Sequence, residues 1–375
     1  MSSLKVQLVD PSAFTPPYDR ALAAALVEAG AEVELLTSEF LHGDVPEPAG
    51  YSVQERFYRR SARRGLGSRL RLPVKAAEHV PDMLALRRAL DADVVHYQWL
   101  TLPALDALLL PRRRPRVMTA HYIVPPEATG SRVLAAHLAF GRMDAVVAHS
   151  RHSAERLVEQ VRLDPGKVHV IPHGAFDYLT RLPQEQPLPA ELRGAEGPVI
   201  LCFGLIRPYK GTEVLLEAFR ELRGAELWIV GNPRMDLAPL RELAEQAPGR
   251  VRFVPRFVAE AEIPAIFRRA DVVALPYLDA EHSGVLYTGL AFEKPLVLSA
   301  VGGFPEVAAT GAARLVPPGD AGELATALSE LSADPAARAE LSAAAARAAA
   351  GPYSWAEAAR LTLELYHELL AGAEA

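Results

Sequence analysis

Short apolar, β-branched runs alternate with helical segments along the whole chain, and that alternation restricts the fold more than any single residue does. Residues 4–9 form a first strand-like run, and residues 20–29 carry a helical pattern that ends at Gly30, a residue suited to a helix C-cap. Residues 32–37 read as the next strand, followed by 93–96, 117–120, 145–148 and 168–171 with helical patterns between them. Strands that return after an intervening helix predict a parallel sheet covered on both faces.

A polar stretch over residues 179–198, punctuated by Pro183, Pro187, Pro189 and Pro198, interrupts the rhythm. It then restarts with strands at 199–203, 226–230, 251–254, 271–276, 295–299 and 314–316, and helices at 213–222, 260–269 and 284–292 and from Ala321 and Ala336. The expected fold is α/β: two tandem Rossmann-like, doubly wound parallel-sheet domains facing a cleft. The expected boundaries are a first domain over 1–178, a linker over 179–198 and a second domain over 199–353. The segment 354–375 reads as an amphipathic terminal helix with Ser354 as its cap.

Composition removes several function classes. A chain of 375 residues with net charge −6 carries no overall basicity that would point to nucleic acid. Its one cysteine, Cys202, sits in the apolar run Val199-Ile200-Leu201-Cys202-Phe203, so a disulfide framework is excluded and a buried small hydrophobe is the simpler reading. The N-terminus reads as a strand rather than a signal peptide, and no stretch approaches the roughly 20 apolar residues of a membrane span. A cytoplasmic protein is expected, with peripheral contact to the cytoplasmic membrane face left open.

In open parallel α/β sheets, ligands bind beyond the carboxyl ends of the strands. The loop from Asp10 to Asp19 contains no glycine, which argues against a Gly-rich dinucleotide fingerprint. The loop Gly204-Leu205-Ile206-Arg207-Pro208-Tyr209-Lys210-Gly211 places two cations before a helix, a combination that suits a diphosphate and equally suits a solvated turn. Lys210 is one of only 5 lysines against 35 arginines. A second loop, Tyr277 to Thr288, offers Ser283 as N-cap, Gly284 for close backbone approach, and Glu281 and His282 at the strand mouth.

At this point the chain resembles retaining glycosyltransferase family 4 (glycosyl transferases group 1). The resemblance rests on Gly204 to Gly211 followed by Leu215-Leu216-Glu217-Ala218-Phe219, and on Leu227-Trp228-Ile229-Val230-Gly231. It continues through Ala270-Asp271-Val272-Val273-Ala274-Leu275-Pro276, Lys294-Pro295-Leu296-Val297, Val301-Gly302-Gly303-Phe304-Pro305-Glu306 and Leu315-Val316-Pro317-Pro318-Gly319-Asp320. Val170-Ile171-Pro172-His173-Gly174 resembles the start of the family's linker. The order of these pieces, more than any one of them, carries the resemblance.

The resemblance implies a GT-B fold and a hexosyltransferase that uses a nucleotide-sugar as substrate, with UDP-, GDP- and ADP-sugars all open, and no bound metal or cofactor. No Asp-x-Asp metal motif follows a strand. Arg207, Lys210 and Glu281 would act on the donor, with the two cations stabilising the leaving diphosphate. Gly204, Asn232, Ser283, Gly284, Val285 and Leu286 would line it, and Arg256 and Phe257 would lie near the base. His121, after the strand at 117–120, would orient the sugar by hydrogen bonds, with His96, His149 and His173 ranked below it. The segment 354–375 would return to the first domain.

The sequence departs from the family in two places. Of the family's usual pair of glutamates, anchoring on Lys294-Pro295 gives Ala280 and Thr288, and anchoring on Ser283-Gly284-Val285 gives Glu281 and Gly289; the second acid is missing either way. Thr288 can still hydrogen-bond a ribose. The Gly-rich acceptor loop is replaced by Phe14-Thr15-Pro16-Pro17-Tyr18-Asp19. A separate feature is the run between Arg56 and Lys75, with eight cations, no acid and interleaved Phe57, Tyr58, Leu66, Leu70 and Leu72. It fits a solvated face, an anionic lipid contact or a grip on a phosphorylated acceptor. The acceptor is undetermined, and a nucleotide-sugar epimerase, a two-lobed sugar-binding protein and a catalytically silent relative are the rival readings.

Overall fold

The structure, a computed structural model, describes residues 3–41, 43, 45, 47–62, 68–111, 115–123 and 130–374. The chain divides into two compact units, Met1–Gly174 with Trp355–Ala375, and Ala175–Ser354. In the first unit the order is β1 (Lys5–Asp10), α1 (Pro16–Glu28), β2 (Glu32–Thr37), β3 (Ser52–Glu55), α2 (Ser68–Ala89) and β4 (Val94–Tyr97). There follow α3 (Pro103–Leu109), β5 (Arg116–Thr119), α4 (Ser131–Gly141), β6 (Ala145–Ala148), α5 (Arg151–Glu159) and β7 (Val168–Val170). The sheet order is β3-β2-β1-β4-β5-β6-β7, and its pairings are parallel.

The second unit runs β8 (Val199–Phe203), α6 (Thr212–Phe219), β9 (Glu226–Val230), α7 (Ala238–Glu245), β10 (Arg250–Val254), α8 (Ile263–Arg269) and β11 (Val272–Leu275). It continues with α9 (Gly284–Ala291), β12 (Leu296–Ser299), α10 (Phe304–Ala308), β13 (Ala313–Val316), α11 (Ala321–Ala333) and α12 (Pro335–Ala350). Its sheet order is β10-β9-β8-β11-β12-β13, again parallel. The central strands are apolar on both faces because helices cover both sides, so they read in sequence as runs rather than alternations. In each sheet the winding reverses once, between β1 and β4 and between β8 and β11, and each reversal opens a crevice at the strands' carboxyl ends.

The remaining helix, α13 (Trp355–Glu374), is counted with the first unit and packs on α1. Its Tyr366 hydroxyl meets Nδ1 of the buried His96 at 2.6 Å, while His96 Nε2 meets Thr119 Oγ1 at 2.8 Å. Two ring nitrogens satisfied inside the sheet make His96 a structural tie between β4, β5 and α13.

The segment 179–198, read in sequence as a linker, is counted with the second unit. The buried Arg252 of β10 donates to the carbonyls of Glu191 (3.1 Å), Arg193 (2.9 Å) and Gly194 (3.3 Å) and pairs with Glu226 at 2.6 Å. β3 was not expected: it is a mostly exposed edge strand, Ser-Val-Gln-Glu, with no apolar run to announce it. The short helices α7 and α10 were missed as well. Among the described residues no helix is long and apolar enough to cross a membrane.

Burial holds the His96 pKa down to about 3 from its usual 6.5. The unfolded chain therefore takes up this proton first, and stability falls as pH drops from 6.5 toward 3, by about 1.4 kcal/mol per pH unit. Between pH 6.5 and 5.0, urea unfolding of the wild type should lose about 2 kcal/mol more than that of His96→Gln, which cannot take up this proton. Equal losses in the two proteins would contradict the assignment.

Candidate functional site

The loop after β8 is shaped by glycines whose conformation and crowding exclude side chains. Gly204 has φ +106°, and a Cβ there would come within 3.1 Å of Val285 Cγ2, so its absence lets the start of α9 close onto the loop. A Cβ on Gly231 would lie 1.8 Å from the Gly204 carbonyl oxygen. The loops after β8 and β9 are consequently laced together: Ile206 N donates to Asn232 O at 3.1 Å, and Arg234 N to Ile206 O at 2.9 Å. Gly211, with φ +66°, ends a 3-10 turn over Pro208–Lys210, and a Cβ there would sit 1.8 Å from Pro276 O. Leu278 N then donates to Tyr209 O at 2.7 Å. The loops that follow β8 and β11 thus meet at the reversal point of the second sheet.

Lys210 occupies that junction. Its ammonium donates to the Tyr277 hydroxyl and lies 4.1 Å from the ring centroid, a cation–π arrangement. Tyr277 is only 2% exposed, and its hydroxyl also meets Ser283 Oγ at 3.1 Å. Burial lowers the Lys210 pKa to about 8; the neighbouring Cys202 sulfur opposes that shift and the Arg207 guanidinium adds to it. Among the described residues no carboxylate pairs with Lys210. Among the described residues no acid balances this partly desolvated ammonium and the exposed Arg207 beside it, a combination suited to an external anion. Cys202 is no nucleophile here, because burial pushes its thiol up to about 11.

Ser283 takes the N-cap position of α9, but its side chain makes no capping bond, since the hydroxyl is engaged with Tyr277. Among the described residues the first N–H groups of α9, at Gly284 and Val285, find no acceptor and can serve a ligand. Thr288 is buried and its hydroxyl donates to Gly284 O at 2.8 Å, which ties it to its own helix. At Gly289 a Cβ would press on Leu296 Cδ2 at 2.7 Å inside the core, so a glutamate does not fit there. The partly buried Glu281 is held by its backbone, which accepts from Gly303 N at 3.0 Å. Gly302 makes that approach possible, as a Cβ there would sit 1.9 Å from Ala280 O.

Arg256 is engaged within its own loop. Its guanidinium pairs bidentately with Glu262 at 2.6 and 2.9 Å and donates to Phe257 O at 3.1 Å, clamping the loop ahead of α8. The same cation holds the Glu262 carboxyl below its usual range. Phe257 beside it presents a ring that is 53% exposed.

In the first unit, Asp10 replaces glycine as the organiser of the loop after β1. Its carboxylate oxygens accept the backbone N–H groups of Ser12 (3.2 Å), Phe14 (2.6 Å) and Thr15 (3.2 Å). Asp10 and Asp19 are both buried, and burial pushes both pKa values up; the Asp10 carboxyl adds to the rise at Asp19, while the hydrogen bond from Asp19 opposes the rise at Asp10. His121 lies beyond β5, with Nε2 3.0 Å from Gln98 Oε1 and its ring stacked on Trp99 at 5.4 Å. Trp99 in turn donates to Thr15 Oγ1 at 2.8 Å and meets Phe14 edge-on at 5.1 Å. His149 and His173 have Nδ1 at 3.0 Å from Ile171 O and 2.7 Å from Gly174 O.

Sequence reasoning missed a polar chain beside this row. Asp106 Oδ1 lies 2.6 Å from His79 Nε2, His79 Nδ1 2.7 Å from Tyr58 Oη, and Tyr58 Oη 3.0 Å from Thr101 Oγ1. Thr101 Oγ1 continues to Ser12 Oγ at 2.8 Å, which accepts from Lys75 Nζ at 2.9 Å. These residues come from five separate segments, and no local spacing announces them. Of the basic run between Arg56 and Lys75, Arg63 and Arg64 and the side chain of Arg69 lie outside the described residues, and Lys75 turns inward to this chain.

Two Rossmann-like units with their polar residues at strand ends define a fold class, and the comparisons name it. The chain matches the profile of Glycosyltransferase Family 4 over residues 20–175 and that of Glycosyl transferases group 1 over residues 197–334. It is similar to the D-inositol 3-phosphate glycosyltransferase of Kineococcus radiotolerans, 31% identical over 271 residues, covering 64% of this chain and 60% of that protein. It is similar as well to the GDP-mannose:glycolipid 4-beta-D-mannosyltransferase of Xanthomonas campestris pv. campestris, 29% identical over 242 residues, covering 58% of this chain and 64% of that one. The match therefore spans less than two thirds of the length of these curated relatives.

Among solved structures, the sucrose-phosphate synthase of Thermosynechococcus elongatus has a TM-score of 0.73 at 20% identity, covering 98% of this chain and 100% of that one. HepE of Anabaena, solved with UDP and glucose, has a TM-score of 0.72 at 20% identity, covering 97% and 100%. The fold is that of the two-domain GT-B proteins. Within it, the chain belongs to the family 4 glycosyltransferases.

The lowered pKa of Lys210 is directly measurable. In a titration of reductively 13C-methylated protein, one lysine resonance should have its midpoint near 8 and vanish in Lys210→Arg. A midpoint for Lys210 near the ordinary 10.5 would show that the ammonium is solvated rather than seated on Tyr277.

Proposed function

We propose that the chain transfers a hexose from a nucleoside-diphosphate sugar to an acceptor hydroxyl with retention of anomeric configuration. The observation that carries this reading is the Lys210 ammonium, seated on Tyr277 beside Arg207 at the β8/β11 reversal and left without an internal anion. A donor diphosphate supplies that missing charge. Lys210, Arg207 and the first N–H groups of α9 hold its oxygens, and the sugar end lies toward Val285 and Leu286. Asn232 and the exposed ring of Phe257 serve the nucleoside, with Arg256 acting through the loop it clamps. Glu281 is left as the acid for ribose or sugar hydroxyls, because neither Thr288 nor Gly289 supplies one.

In the reaction, the acceptor oxygen bonds to the anomeric carbon as the bond from that carbon to the diphosphate oxygen breaks. The acceptor's proton passes to the leaving diphosphate, on the same face of the sugar. The cations of Arg207 and Lys210 stabilise the charge that develops on the leaving group, so this chain's own residues carry the role a divalent metal fills elsewhere. His121 is assigned to orienting the transferred sugar, and the strand-end row of the first unit to the acceptor.

Calorimetry with UDP-, GDP- and ADP-sugars, followed by NMR of the product's anomeric proton, tests the proposal. One donor class should bind, and Arg207→Ala should weaken it by about 10- to 100-fold, the worth of a charge-assisted hydrogen bond at 1.5–3 kcal/mol. Binding of none of the three, or undiminished binding by Arg207→Ala, would overturn the donor assignment. A product of inverted anomeric configuration would overturn retention alone.

A further inference from the structure

Gln98 is the first residue beyond β4, beside the point where the winding of the first sheet reverses. Its backbone N–H donates to Val9 O at 2.9 Å, which fixes the residue against β1. The side chain is fully buried and makes one described hydrogen bond, with its Oε1 3.0 Å from His121 Nε2. Among the described residues its amide nitrogen has no partner. The surroundings are rings: Trp99 stacks on His121 at 5.4 Å, Tyr18 meets it edge-on at 4.6 Å, and His149 lies at 5.3 Å. In such a ring-lined site an unpartnered amide N–H costs stability, and an apolar side chain of similar length would not. Gln98 is therefore a poor choice for packing, and the bond to His121 is what it supplies.

We propose that Gln98 is a positioning residue that fixes the tautomer of His121. A carbonyl oxygen can only accept, so the bond at Nε2 requires the ring proton there and leaves Nδ1 as a lone-pair nitrogen. The aromatic neighbours cannot make that choice. A half-turn of the imidazole exchanges nitrogen for carbon positions with almost no change of shape, so the face of Trp99 and the edge of Tyr18 tolerate either orientation. A directional bond distinguishes them, and Gln98 supplies one. A neutral imidazole held in this way accepts from a hydroxyl at Nδ1 and cannot donate to it. The inference rests on the role assigned above to His121 in orienting the transferred sugar: the sugar hydroxyl that meets this ring is the donor of the hydrogen bond. Gln98 thereby also selects among sugars, since a position that has no hydrogen to give, such as an ether or an acylated hydroxyl, leaves the lone pair unmatched.

The test is the tautomer of His121, read at pH 8 from long-range 1H–15N correlations of the full chain labelled with 15N-histidine, and assigned by the signals lost in His121→Asn. The wild type should show a protonated Nε2 and an unprotonated Nδ1. Gln98→Met, close in length and volume but with no acceptor oxygen, should lose that preference, and Gln98→Glu, which keeps an acceptor oxygen, should keep Nε2 protonated. The thermal midpoint of Gln98→Met should equal or exceed that of the wild type, because the unpartnered amide is gone. With whichever of UDP-, GDP- or ADP-glucose binds, Gln98→Met should release nucleotide about five- to tenfold more slowly at unchanged donor affinity, the loss expected for one misplaced hydrogen bond. The proposal is overturned if wild-type His121 carries its proton on Nδ1, or if Gln98→Met keeps the wild-type tautomer. Early melting of Gln98→Met would equally overturn it by making Gln98 a structural tie, as would unchanged turnover in a variant whose tautomer is lost. If none of the three nucleotide-sugars binds, the reaction proposed above falls, and the tautomer measurement still decides what Gln98 does to His121.

Discussion

The ammonium of Lys210 resting on the Tyr277 ring is the contact on which the proposed donor side of this protein depends. Holding a cation away from water is costly, and the low pKa of Lys210 is the direct expression of that cost. What makes the arrangement persist is the backbone around it. Gly204, Gly211 and Gly231 each take a left-handed conformation that lets three strand-end loops run closer together than any side chain would allow. The loops cannot relax without breaking the lacing between Ile206, Asn232 and Arg234, so the cation stays where it is. An anion that enters recovers the electrostatic energy that folding left unrealised, which is how preorganised sites obtain affinity without rearrangement.

The first unit solves the same geometric problem with different chemistry. Its loop after β1 has no glycine to bend it, and the Asp10 carboxylate gathers the backbone N–H groups of Ser12, Phe14 and Thr15 instead. The result is a strand-end surface of aromatic rings and hydroxyls rather than of cations and helix-start N–H groups. Trp99, Phe14 and the chain from Asp106 through Tyr58 to Ser12 give it a hydrogen-bonding, ring-lined character. Two sheets of the same topology therefore present two distinct kinds of recognition, and the division of labour between donor and acceptor proposed above follows from that difference.

What could be read in the sequence was what depends on neighbours along the chain. Central strands such as 226–230 and 145–148 match the observed elements because burial on both faces leaves unbroken apolar runs. The edge strand β3 did not, because a polar strand paired on one side looks like a loop. The cations Arg207 and Lys210 were visible as a local pair, but Tyr277, which fixes Lys210, comes from another strand end and carries no local signal. Arg256 was legible as a cation after a strand, but the bidentate pair it makes with Glu262 six residues on was not. Ser283 has the right residue type and place for a cap, yet Tyr277 takes its hydroxyl. The basic run near residue 60 drew the eye to charge, whereas Lys75 at its end turns inward to Ser12, a contact that only tertiary partners reveal.

The most direct test of the account is the pH dependence of nucleoside diphosphate binding, measured by calorimetry with UDP, GDP and ADP at pH 7 and pH 9. A diphosphate held by Lys210 should bind about tenfold more weakly at pH 9, one unit above the pKa of about 8, and should take up a proton on binding there. Lys210→Ala should bind weakly at both pH values with no such difference. Tight binding in the wild type that does not change between pH 7 and pH 9, with Lys210→Ala binding equally well, would contradict the account.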